Sequence, residues 1–140
     1  MNHTIQHKLS GELIAKAKAE TIYSPKKLGI PLHQHDDCIR ICFEWLDAQK
    51  IIKSKCKHQF AIKHLIEQWA GRYVSMSDVE VAAKIHPQII GIYPHYNISS
   101  KLVEPDKTRL KNIVEANKHE GYKSLHYPVG HAWSLYKITE

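Results

Sequence analysis

The chain has 140 residues, 20 Lys and Arg against 14 Asp and Glu, and a formal charge of +6, with eleven histidines besides. That length suits one domain able to bury its own core without a metal or disulfide staple. Charged residues at 24% and apolar ones at 43% exclude a collagen-like repeat and global disorder, and no apolar run reaches the roughly 18 residues of a membrane span.

Residues 1–10 are polar and lack the apolar block of a secretory leader. The three cysteines form no paired framework. The expected setting is therefore a reducing cytoplasm, with no membrane partner and no cofactor. Residues 1–58 hold +4 of the charge and residues 59–140 hold +2, so the excess is spread out.

Residues 1–9 read as an arm, and Ser10 precedes a short helix over 11–22 with Leu13, Ile14 and Ala17 on one face. Ser24-Pro25 ends it, because a residue before proline is pushed out of helical geometry. Pro25, Gly29 and Pro31 mark a linker. Thus 1–35 is an N-terminal arm with a short helix and linker, and 36–140 a single helical domain.

Asp36 or Asp37 caps a helix over 37–53. Its stripe, Cys38, Ile39, Cys42, Trp45, Leu46, Gln49 and Ile52, is the clearest amphipathic one in the chain and a candidate homodimer interface. A lysine run follows, Lys50, Lys53, Lys55 and Lys57. The next helix, 59–70, carries Phe60, Ile62, Leu65, Ile66 and Trp69, with Gly71 as its stop. Tyr73-Val74-Ser75 is β-prone. Ser77 and Glu80 have the spacing of a capping box that opens a helix with a small-residue face, Val79, Ala82, Ala83 and Ile85. Pro87 ends it. Residues 87–104 are irregular, with a turn near 98–102.

Pro105 and Asp106 suit the first turn of a helix over 106–119, with Leu110, Ile113 and Val114 buried. Gly121 ends it. Two β-prone stretches, 122–127 and 131–138, flank Pro128-Val129-Gly130 and predict a terminal hairpin. The fold class is mainly α with a C-terminal β-hairpin.

The order helix, short strand, small-faced helix, loop, polar-faced helix and hairpin over 59–140 resembles a winged helix-turn-helix DNA-binding module. The resemblance implies that the helix 106–119 enters the major groove of double-stranded DNA, where base edges carry a distinctive donor and acceptor pattern. It implies Arg109, Asn112 and His119 on the groove side and Lys107, Lys111 and Lys118 beside phosphates. It also implies Lys123 and His131 at the wing and Ser75 and Ser77 near a phosphate. Lys50, Lys53, Lys55 and Lys57 add charge. Two features depart from the family. Residues 87–104 are long for the turn, and Asp106, Glu115 and Glu120 would repel phosphates.

The leading expectation is therefore a small basic DNA-binding protein, a regulator or accessory factor of a mobile element, and not an enzyme. A protein-binding inhibitor or adaptor is the alternative, docking through Trp45, Trp69, Tyr93 and Tyr96. Third comes a metal-dependent nuclease built on His33, His35 and Asp36, whose residue types bind divalent metals. The commoner use of that cluster is a loop entering a capped helix. Cys38, Cys42, Cys56 and His58 are zinc-ligand types, but Cys38 and Cys42 lie on the apolar stripe, where free cysteine packs as a small hydrophobe. Gly91-Ile92-Tyr93 matches half of a homing-nuclease signature without its second half, and Asn97-Ile98-Ser99 is a glycosylation triplet without a secretion signal.

Overall fold

The stripe read over 37–53 becomes the central helix of a computed structural model that describes residues 7–21, 33–54, 61–124 and 135–140. This helix, α2, spans Asp36–Asp47, and Cys38, Ile39, Ile41, Cys42, Trp45 and Leu46 on it have no solvent exposure. Each large apolar side chain removed from water in this way contributes about 1.5–3 kcal/mol. The stripe from Cys38 to Leu46 is thereby consumed inside the monomer, which corrects its reading as a dimer interface; the helix ends at Asp47 rather than 53, and Ile52 lies beyond it, 37% exposed.

α1 (Gly11–Glu20) is capped by Ser10, whose hydroxyl accepts from Leu13 N, and it buries Ile14 and Ala17 while Leu13 stays exposed. α3 (Ile62–Ala70) ends on Gly71, which holds φ +59°, the left-handed geometry that glycine tolerates. α4 (Met76–Ile85) packs on α2 and α1 through Val79, Val81, Ala82 and Ala83. No described helix is long and apolar enough to cross a membrane.

The capping box of α4 lies two residues before the one expected. Ser75 accepts from Asp78 N at 3.0 Å, and Asp78 accepts from Ser75 N at 2.8 Å. The sequence Ser75-Met76-Ser77-Asp78-Val79-Glu80 offers the Ser-x-x-acid spacing twice, and the earlier pair is used. Ser77 is buried, with no hydrogen-bond partner for its hydroxyl among the described residues.

The irregular 87–104 stretch contains a small hairpin, β1 (Gly91–Ile92) with β2 (His95–Tyr96), around a cis Tyr93-Pro94 bond. Gly91 holds φ +116° against the His95 carbonyl, a place no Cβ would fit. Asn97 organises the return: its amide oxygen accepts from Ile90 N at 2.7 Å, and its amide nitrogen donates to Gln88 O at 2.9 Å.

β3 (Leu102–Glu104) pairs in parallel with β4 (Tyr136–Thr139). On β3, the buried Gln49 amide donates to Val103 O and accepts from Val103 N, each at 2.9 Å, imitating a strand neighbour. The second strand of the expected hairpin thus exists, but its partner is β3. The described start of 122–127 is a 3-10 turn, Glu120–Ser124, rather than a strand. The Pro128-Val129-Gly130 turn and His131 lie outside the described residues. So do residues 22–32, which hold most of the linker, and the positions of Lys55, Cys56, Lys57 and His58.

Candidate functional site

The segment expected to be a recognition helix is not one. Residues Lys107–Leu110 form a 3-10 turn opened by Asp106, whose carboxylate accepts from Thr108 N at 2.8 Å. The chain then runs through further turns to Lys118. Its backbone N–H groups go elsewhere: Asn117 N donates to Ala70 O at 2.8 Å, and His119 N to Gly71 O at 2.7 Å. The last carbonyls of a helix lack internal partners, so this segment serves as the C-terminal cap of α3. Asn117 reaches its carbonyl by adopting φ +66°, a left-handed state that asparagine visits more readily than most residues. Leu110 and Ile113 are buried as expected, but Val114 is 76% exposed, which removes it from the core.

Arg109 is held by three carboxylates. Its guanidinium donates to both oxygens of Glu140, at 2.7 and 2.6 Å, to Glu44 at 2.9 Å and to Asp47 at 3.1 Å. The Glu140 hydrogen bonds, with those of Asp47 and Glu44, raise its pKa further above the ordinary value. Burial pushes Glu44 and Asp47 upward, but hydrogen bonds to His7 and His86, the Arg109 contacts and the charge of Lys8 outweigh it, so both carboxyls sit below their usual range. A guanidinium so occupied ties α2 to the C-terminus and has no free fork for a guanine edge. This corrects the base-reading role expected of Arg109.

What the turns do build is a cleft of about 550 Å3, lined by Lys107, Leu110, Lys111, Ile113, Val114, Asn117 and Lys123. Lys107 and Lys123 also line a smaller neighbour, about 140 Å3, with Leu65, Gln68, Trp69, Glu104 and Tyr136. Lys107 Nζ donates to the Trp69 carbonyl and lies 5.9 Å from the Trp69 ring centre. Burial, then the charge of Lys123, lowers its pKa below the usual lysine value. Lys123 passes over Gly71, where any side chain would meet it. Lys8, Lys18 and Lys63 sit beside carboxylates. Among the described residues, Lys107, Lys111 and Lys123 form no such ion pair. Asn117 and Val114 were missed as site residues; the tolerance of asparagine for left-handed geometry was the signal available.

Of the other expected DNA contacts, Asn112 and Lys118 are exposed, as are Lys50 and Lys53. His119 is exposed but its Nδ1 accepts from Tyr73 N at 3.2 Å. Ser75 is occupied as a helix cap and Ser77 is buried, so neither offers a hydroxyl to a phosphate.

The aromatic docking set is largely internal. Trp45 is buried and donates to the Tyr136 hydroxyl at 2.9 Å. Trp69 is buried and donates to Pro105 O at 2.9 Å. Tyr96 is buried and donates to Glu80 at 2.7 Å. Tyr93 is half-buried, and its hydroxyl accepts from Lys63 N at 3.3 Å. Trp45, Trp69 and Tyr96 hold elements together rather than face a partner; a buried indole N–H or phenol needs such a partner inside the fold.

His33, His35 and Asp36 are separated by function. His33 Nδ1 meets Asp78 Oδ1 at 2.7 Å, His35 Nδ1 accepts from Asp37 N at 2.9 Å as the cap of α2, and Asp36 accepts from Lys18 at 2.8 Å. Among the described residues no group of three His, Cys, Asp or Glu side chains is placed to hold a metal ion. Cys38 and Cys42 are buried core thiols; burial pushes Cys38 up to about 12 and Cys42 well above its ordinary value. Comparison with protein-family models, curated proteins and solved structures finds nothing that matches this chain.

Proposed function

We propose that the protein binds nucleic acid through the phosphate backbone, with the lysine-lined cleft as its contact surface. One observation carries this reading: Lys107, Lys111 and Lys123 converge on a single cleft, and among the described residues none of them is in ion-pair contact with a carboxylate, Glu104 acting on Lys107 only from longer range. Clustered ammonium groups repel one another, and an anion placed among them relieves that repulsion and releases counterions. Lys118 and Asn112 are exposed in the same segment and available as flanking contacts. The proposal keeps the nucleic-acid partner of the winged-helix expectation and replaces groove insertion by backbone contact. Affinity for a labelled oligonucleotide, measured against salt, tests it. Loss of affinity in Lys111→Ala with unchanged thermal stability supports it, and unchanged affinity contradicts it.

A second reading, docking to a protein partner, draws on different residues from those first expected. Ile90 and Ile92, at and beside the small hairpin, are 55% and 71% exposed. A partner that co-purifies through nuclease and high salt, and is lost in Ile92→Asp, would favour it.

A further inference from the structure

We infer that the cleft takes single-stranded nucleic acid, seating one phosphate among the lysines with its base against Val114; this rests on the nucleic-acid reading above. The cleft is amphipathic. Lys107, Lys111 and Lys123 supply cations, Asn117 supplies one amide, and Leu110, Ile113 and Val114 supply an apolar surface. Leu110 and Ile113 are buried at 6% and 4% exposure, whereas Val114 stands 76% exposed beside them.

Phosphate attraction alone does not distinguish one strand from two. The apolar side does. In a duplex the bases are stacked inward, and a duplex laid over the cleft meets the lysines with its phosphates and leaves Val114 without a partner. An unstacked base on a flexible strand can lay its face on an exposed side chain, as bases do on aromatic rings in sequence-tolerant binders, and Val114 offers an aliphatic surface for that contact. A volume of about 550 Å3, in a cleft open to solvent, gives room for a small ligand unit. That size fits a nucleotide unit rather than a groove-spanning surface. The expected helix would have projected from the molecule, whereas the turns that replace it form a concavity.

The experiment compares a fluorescent oligothymidylate, alone and annealed to its oligoadenylate complement, on the wild type, Val114→Ser and Lys111→Ala/Lys123→Ala. The expected result is single-strand affinity about tenfold above duplex affinity. Val114→Ser should lower single-strand affinity about fivefold and leave duplex affinity unchanged. Equal binding of both forms, or no effect of Val114→Ser while the lysine variant weakens both, overturns the single-strand inference and leaves backbone binding standing. If neither form binds the wild type, the nucleic-acid reading and the inference fall together. All three positions are exposed, so their substitution leaves the core intact.

Discussion

Lys107 and Lys123 line the same two clefts, and the charge of one depresses the pKa of the other. Lys107 is the more constrained, because its ammonium donates to the Trp69 carbonyl and lies near the Trp69 ring. The pair gives the site a dependence on pH. In the free protein the charged form of Lys107 is disfavoured by burial, so between its lowered pKa and the ordinary value near 10.4 the unfolded chain binds more protons. Its contribution to stability therefore rises with pH through that window. Bound phosphate favours the ammonium, so oligonucleotide affinity should fall over the same window. Affinity titrated upward in pH toward the ordinary lysine value should decline in the wild type and be flatter in Lys107→Met.

Arg109 belongs to stability rather than to recognition. Removing it takes from Glu44, which is 9% exposed, and from Asp47 the guanidinium they share, leaving only the more distant ammonium of Lys8 between them. Discounted for partial exposure, Arg109→Met should cost about 2 kcal/mol, a loss measurable by urea unfolding. At equal folded concentration its oligonucleotide affinity should match the wild type.

The same hub predicts acid sensitivity. Glu44, Asp47 and Glu140 have folded pKa values below the usual carboxylate range. Their contribution is present above the unfolded values near 4 and is lost as pH falls through the lowered folded values. Unfolding free energy should therefore drop between mild and strong acid, and drop less in Arg109→Met, where Glu140 loses the main partner that lowers its value and Glu44 and Asp47 lose one of several.

A side-chain hydrogen bond from Trp45 to Tyr136 fastens the C-terminal strand to the core. Tyr136→Phe keeps the ring and leaves the buried indole N–H unsatisfied, at a cost of about 1–3 kcal/mol. A fall in melting temperature of several degrees would register it. Ser75→Ala should cost about 1 kcal/mol through loss of the α4 cap, whereas Ser77→Ala, whose hydroxyl has no described partner, should be near neutral.

The core was legible because periodicity reports burial directly. Cys38, Ile39, Cys42, Trp45 and Leu46 recur at helical spacing, and all are fully buried. Gly71 was legible as a stop because glycine accepts the left-handed geometry found there. The segment 106–119 was misread because its spacing of Leu110, Ile113 and Val114 fits a helix as well as a series of turns. The deciding interactions are distant: Arg109 with Glu140, and Asn117 and His119 with the end of α3. No local pattern encodes those. The parallel β3–β4 pairing was hidden likewise, since Tyr136–Thr139 reads as a strand but its partner lies over thirty residues away. The lysines of the cleft were visible as charges, while their convergence depended on the turns.

The most direct test of the account is the salt dependence of single-strand binding in the wild type and in Lys111→Gln/Lys123→Gln. Each phosphate contact contributes about 0.7 to the slope of log affinity against log salt for single strands. The account predicts a slope about 0.7 shallower in the double variant, for the one phosphate these lysines hold, with an unchanged melting temperature. A slope equal to that of the wild type would contradict it.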